Sequence, residues 1–316
     1  MFKTNTSLLL TLLLMPLLNF AQYTDQINSN RPGETMSAFS VGKSVIQLET
    51  GAYGISQKHH LLNYVANGYG IDATLRYGML MEKLEVIADI QYQSQVYEAL
   101  YTKTNQKALK QTILGAKYLL YDPFKNHEKK INVYSWNANR KFSWRQLIPA
   151  VSVFAGANFT SANNPYHFSP NAGISPKVIL ITQNHLGDGT WVFVTNTIAD
   201  YIGTEYPSYG YAVTLTKGFN DKWSGFVENQ GYKSDFYSDA IVRAGAAFLI
   251  TDDLQIDASA SASLKNTPSI FYGGLGFSWR YDGNYNEVRM PVEDPNVLKA
   301  QKRAKKGTKK KKFLIF

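Results

Sequence analysis

The chain has 316 residues, of which 14% are aromatic and 18% charged, with no cysteine and a formal net charge of +9. The lack of cysteine excludes a disulfide framework and any thiolate-bound metal, and the length suits one large domain. The positive excess is concentrated in residues 299–316, so the remainder gives no reason to invoke a nucleic-acid partner.

Lys3 is followed by an apolar run from Leu8 to Leu18 and then by Asn19-Phe20-Ala21-Gln22. A positive start, a leucine core and a small residue before the cut make residues 1–21 a secretory signal peptide, cleaved after Ala21. The run is shorter than the ~20 residues a membrane helix needs, and no later segment is long and apolar enough to be one. A mature chain in the membrane must therefore be a closed barrel, because lipid offers no partner to an open sheet edge. Residues 22–42 form an N-terminal segment for the periplasm or the lumen.

Period-two segments between turn signals are expected near 43–55, 70–79, 84–94, 108–121, 147–160, 174–185, 190–199, 207–218, 223–232, 239–250, 254–264 and 269–281. The clearest is the stretch from Leu254 to Leu264, where Leu254, Ile256, Ala258, Ala260 and Ala262 alternate with Gln255, Asp257, Ser259, Ser261 and Ser263. Its length suits a tilted membrane strand, which needs ~9–11 residues. Segments 174–185 and 190–199 alternate poorly. Tight polar turns such as Met81-Glu82-Lys83 and Thr251-Asp252-Asp253 alternate with longer links at 56–69, 95–107, 161–173 and 200–206. Link 122–146 is long yet falls on the short-turn side, and it mixes lysine and arginine with Tyr134, Trp136 and Trp144. A solvated loop or pair of short extra strands, and a basic, aromatic flap at the periplasmic interface, are equally good readings of it.

These signals predict an all-β fold: an antiparallel up-and-down transmembrane barrel of about twelve strands over residues 43–281, with both termini in the periplasm of a Gram-negative envelope. The 21 tyrosines and 17 phenylalanines suit aromatic girdles at two membrane interfaces. A secreted β-sandwich is the competing fold. If apolar faces meet lipid, the lumen-facing set includes Glu49, Asp72, Arg76, Glu85, Asp89, Lys117, Glu228, Arg243, Asp257 and Arg280. Such a set is either a salt-bridged network that stiffens the barrel or a selectivity lining for a solute. Arg31 precedes the first strand, where it could fold inward to meet one of these carboxylates.

The final segment carries Tyr272, Gly274, Phe277 and Trp279, which resemble the C-terminal signal that barrel-assembly machinery reads. Beyond it, residues 282–316 form a basic periplasmic tail with Lys299, Lys302, Arg303, Lys305, Lys306, Lys309, Lys310, Lys311 and Lys312. A run of this kind is usually solvated, and it also suits lipid headgroups, peptidoglycan or an acidic periplasmic partner. The expected partners are thus outer-membrane lipid, the assembly machinery and a contact of the tail. His59, His60, His127, His167 and His185 sit in or beside presumed loops and lack metal-site spacing, so no cofactor, metal or enzyme activity is expected.

Asn30-Arg31-Pro32-Gly33-Glu34-Thr35, then Val41-Gly42 and Gln47-Leu48-Glu49-Thr50-Gly51, resemble the "D-R-P … V-P-x-G-x-x-Q-L-E-x-G" opening of one outer-membrane family. Phe226-Val227-Glu228 and Leu249-Ile250-Thr251-Asp252-Asp253-Leu254-Gln255-Ile256-Asp257 resemble its "F-x-E" and "L-T-D-N-L-Q-L-D" segments. That family is labelled putative MetA-pathway phenol-degradation proteins, or simply "transporter", and the Ala21-Gln22 junction resembles Bacteroidetes exports. Asn30 stands where the family has Asp, and Ala38, Gly42 and Ser44 stand where it has Pro, Pro and Gly. The resemblance implies a channel or transporter for small solutes, hydrophobic or aromatic ones included. The alternative is a scaffold barrel with a closed lumen in an envelope assembly.

Overall fold

A computed structural model describes residues 27–124, 134, 144–167, 173–187, 189–235 and 237–283. The expected signal peptide, the basic tail and most of link 122–146 lie outside the described residues. Twelve strands follow one another around a closed antiparallel barrel: β1 Val45–His59, β2 Tyr64–Gly78, β3 Leu84–Ala99, β4 Thr102–Tyr121, β5 Ala150–Thr160, β6 Gly173–Leu186, β7 Trp191–Asp200, β8 Ser208–Gly218, β9 Trp223–Lys233, β10 Ser238–Thr251, β11 Leu254–Ser263 and β12 Ser269–Asp282. Closure comes from β1 and β12, paired from Val45↔Asp282 to Lys58↔Ser269. Every strand is paired on both sides, which satisfies the backbone without water except along Thr102–Thr112 of β4, where β5 does not reach.

The pleat turns the expected alternation into two surfaces. Outward positions such as Ile71, Leu75, Leu114, Leu275 and Phe277 are exposed and apolar, whereas Gln47, Glu49, Arg76, Glu85, Lys117 and Glu228 are buried. An inside-out pattern of this kind belongs to a barrel whose solvent outside is lipid. Tyr77, Tyr118, Trp191, Trp223, Trp279 and Tyr281 ring the end where the barrel's first strand begins and its last strand ends, here the terminal end. Tyr69, Phe159, Tyr209, Tyr211 and Phe271 ring the far end.

Two expected loops are mostly strand. Residues 56–69 and 95–107 continue β1–β2 and β3–β4 to turns at 60–63 and at Leu100–Tyr101. Ser56, Gln57 and Lys58, like Gln95, Glu98 and Lys103, are polar on both faces, which erases the apolar alternation while the backbone ladder continues. The poor alternation of β6 and β7 has a different cause. Val178 and Leu180 face outward while Ile179 and Ile181 are buried inside, so this sector of the lumen is itself apolar.

Candidate functional site

The lumen is occupied by the chain's own residues 27–42, which enter from the terminal end, where the Ile27 N–H donates to the Asp252 carbonyl (2.8 Å). The ten charged residues expected to line the lumen all face inward. Most of them hold this segment. Glu49 on β1 accepts the Asn30 N–H (3.1 Å) and the Arg31 N–H (3.3 Å). Glu85 on β3 accepts the Val41 N–H (2.8 Å), pairs with Arg76 (3.1 Å) and with Lys117 (2.7 Å). Arg76 also bridges to Glu49 (3.0 Å) and donates to the Asn28 carbonyl (2.7 Å). Lys117 donates to the carbonyls of Ser37 (2.7 Å) and Phe39 (3.0 Å). Charges that would be costly alone are therefore both paired and hydrogen-bonded.

On the opposite wall, Glu228 of β9 accepts from the backbone N–H groups of Glu34 (3.0 Å) and Thr35 (3.1 Å) and from the hydroxyls of Thr35 (2.7 Å) and Thr214 (2.9 Å). Arg243, its cross-strand neighbour on β10, completes the set at 2.5 Å. A Cβ on Gly33 would lie 2.7 Å from the Glu228 carboxylate, so that position needs glycine for the approach.

Arg31 sits in a cradle that crosses four strands. The paired row Asp72–Gly51–Gly276–Asp257 runs over β2, β1, β12 and β11. The guanidinium bridges the outer two carboxylates, Asp72 and Asp257, the latter at 3.3 Å. A Cβ on either glycine would lie 2.2 Å from its Nη2. Burial alone would lower the Arg31 pKa, but the flanking Asp72 and Asp257 raise it, so the group stays charged. The cradle glycines, Gly33 and Thr35 were not singled out by sequence reasoning. Gly33 and Thr35 lie in the 30–35 motif, and the cradle pairing is readable only from strand register.

Met36, Ala38 and Phe39 meet the apolar sector instead, packing with Ile87, Phe154, Ile179, Ile181 and Val194. The Asn196 side-chain amide faces the Met36 backbone, with the N–H at 2.6 Å and the carbonyl at 3.0 Å. The segment leaves two cavities. One, of about 280 Å³ on the far side, is lined by Asp72, Asp89, Lys110, Lys177, Tyr53 and Tyr232 among others. The other, of about 690 Å³ on the terminal side, is lined by Phe39, Gln183, His185, Val192 and Phe226. Asp89 is held by Thr74 (2.8 Å) and Gln111 (2.7 Å), and Arg280 is buried near the terminal end of β12. Tyr272 and Gly274 face the lumen, while Phe277 and Trp279 face outward. Among the described residues no group of three or more histidine, cysteine or acidic side chains could hold a metal.

The family model described as "Putative MetA-pathway of phenol degradation" matches residues 29–281. No curated protein matches the chain. Solved structures similar to it include an outer-membrane channel from Pseudomonas putida F1, at 11% identity and TM-score 0.46, covering 81% of this chain and 100% of that one. Another is the CymD monoaromatic hydrocarbon channel, at 11% identity and TM-score 0.41, covering 77% and 90%. A third is the translocator domain of the autotransporter NalP from Neisseria meningitidis, at 8% identity and TM-score 0.44, covering 76% and 89%.

Proposed function

Because the chain belongs to the family described as "Putative MetA-pathway of phenol degradation", we propose that it is an outer-membrane channel for small solutes, aromatic ones included, whose lumen is controlled by residues 27–42. The observation that carries this reading is the pair of cavities, about 280 and 690 Å³, stacked within one lumen on either side of that segment. A barrel built only to stiffen an assembly gains nothing from open volume at both ends. This reading places the terminal end, where residues 27–42 enter the lumen, in the periplasm. In intact cells, an added thiol probe should label a cysteine placed at Asn63 but not one placed at Asp221.

A closed scaffold is the second reading, and the complete burial of Arg76, Glu85 and Lys117 around the segment favours it. Planar-bilayer recording separates the two. A channel should show steady single-channel steps, altered by Arg76→Ala or Arg243→Ala, since both cations anchor the segment or its carboxylate partner. A purified, folded protein that stays silent in all three forms would support the scaffold.

A further inference from the structure

We infer that solute passes the N-terminal segment on the side of β6 to β9, through the contact that Thr35 and Met36 make with Thr214 and Asn196, while the rest of the segment stays docked. The inference rests on the channel reading above and assigns that channel its path and its gate.

The two cavities lie against the same strands. The far cavity reaches Ile179 on β6, Asn196 and Ile198 on β7 and Gln230 on β9. The terminal cavity reaches Gln183 on β6, Val194 on β7, Thr214 on β8 and Glu228 on β9. These sets are neighbouring inward rows. Val194, Thr214, Glu228 and Arg243 are paired in one row, and Asn196, Ala212, Gln230 and Ile241 form the next. Met36 lines the far cavity and Thr35 the terminal one, so the backbone step between them is the partition along this wall.

The partition is held differently from the rest of the segment. Toward β1 to β4, β11 and β12 the segment is tied by the ion pairs and carboxylate contacts of Arg31, Glu49, Arg76, Glu85 and Lys117. Across β7 and β8 the segment meets no ion pair: the Thr35 and Thr214 hydroxyls, 2.6 Å apart, both reach the Glu228 carboxylate, and Met36 meets only the neutral Asn196 amide. The arc that crosses this front is short. It is pinned on one flank by Glu228 at Thr35 and on the other by Gln183, which accepts the Ala38 N–H at 2.9 Å. Neutral hydrogen bonds are weaker than charge-assisted ones, and methionine is the most adaptable apolar side chain. Within this arc Met36 is the step held by neutral contacts alone, between the charge-assisted bonds of Thr35 to Glu228 and of Lys117 to the Ser37 carbonyl.

The walls of the path also state a solute class. Ile179 and Ile198 line it above the partition, and Val192 and Phe226 below. Charges beside it are spent on each other, Lys177 on Asp200 (3.0 Å) and Arg243 on Glu228 (2.5 Å). A small uncharged solute with an apolar body fits such a passage, and an ion would have to compete for groups already paired.

The absence of native cysteine makes the test direct. Two double variants place a disulfide where hydroxyls already meet at 2.6 Å: Thr35→Cys with Thr214→Cys across the partition, and Ser29→Cys with Ser278→Cys on the docked side. Influx of phenyl glucoside into proteoliposomes is measured in oxidised and reduced forms, with cross-linking confirmed by intact mass. The partition cross-link should cut influx at least tenfold, reversibly with reductant, and the docked-side cross-link should leave it within twofold. Loss of influx in both oxidised forms would mean the whole segment must leave, and no loss in either would mean the path lies elsewhere; each overturns the inference while leaving the channel reading intact. Absence of influx in the reduced and parent proteins would overturn the channel reading itself.

Discussion

Arg31 is held by what two residues lack as much as by what two others carry. Asp72 and Asp257 supply charge, and Gly51 and Gly276 supply the space between them. Gly276→Ala should therefore act like the loss of the arginine. The added methyl would sit 2.2 Å from Nη2, and overpacking of this sort costs about 1–3 kcal/mol. Arg31→Ala leaves two inward carboxylates without their cation. Its cost should stay below the ~3–5 kcal/mol of a fully buried broken pair, because Asp72 borders the far cavity. Denaturant titration of both single variants and the double should give a sum well short of additive. Additive losses would mean that the glycines do not serve the arginine. Much of this was open to the sequence. Asp72, Asp257 and Arg31 were readable from alternation and from a motif before the first strand. The joining of Gly51 to Gly276 was not, since they lie at opposite ends of the chain and only closure of the barrel makes them neighbours.

At the scale of elements, β4 poses a separate problem. Its ladder with β5 covers only Ile113–Tyr121, while β4 itself begins at Thr102. The ladder to β3 also skips Lys110. Three carbonyls of this stretch are taken by the loop after β5. Asn164 donates to Leu109 (2.6 Å), Tyr166 donates to Gln106 (2.9 Å), and His167 Nε2 meets the Lys110 carbonyl. His167 Nδ1 in turn faces the Tyr201 hydroxyl at 2.9 Å. With Nε2–H donating and Nδ1 accepting, the ring is in its neutral form. Burial lowers the His167 pKa below 6.5, opposed in part by the bond to Lys110. The unfolded loop therefore binds the proton more readily. The latch has its full strength above pH 6.5 and loses it as pH falls through 6.5 toward the lower folded value. Hydrogen exchange at residues 161–167 should be faster at pH 5.5 than at 7.5, after correction for intrinsic rates, and His167→Gln should remove that difference. A difference that persists in the glutamine variant would assign the response to another group. None of this latch was legible in the sequence, where His167 read only as a loop histidine without metal-site spacing. Its partners are backbone carbonyls, which leave no mark on side-chain pattern.

For the whole molecule, the question is whether the N-terminal segment helps hold the barrel or only fills it. The wall closes through the β1–β12 ladder without any residue before Val45. Glu49, Arg76, Glu85 and Lys117 pair with one another, so removal of the segment does not strand a lone charge among them. What the segment adds is burial of Met36, Ala38 and Phe39, the Arg31 pairs with Asp72 and Asp257, and a set of hydrogen bonds worth about 1 kcal/mol each. Ordering its backbone costs about 1–2 kcal/mol per residue. These terms oppose each other along the same stretch of chain, so the net contribution to stability is small. Deletion of residues 27–42 should leave a folded barrel that, like the parent, shows heat-dependent gel mobility in this test, with an apparent Tm lowered by only several degrees. Permeability should rise sharply in the same preparation, because the two cavities then merge. A deletion variant that never shows the folded band would make the segment part of the fold. One that folds without becoming more permeable would mean that something other than this segment closes the lumen.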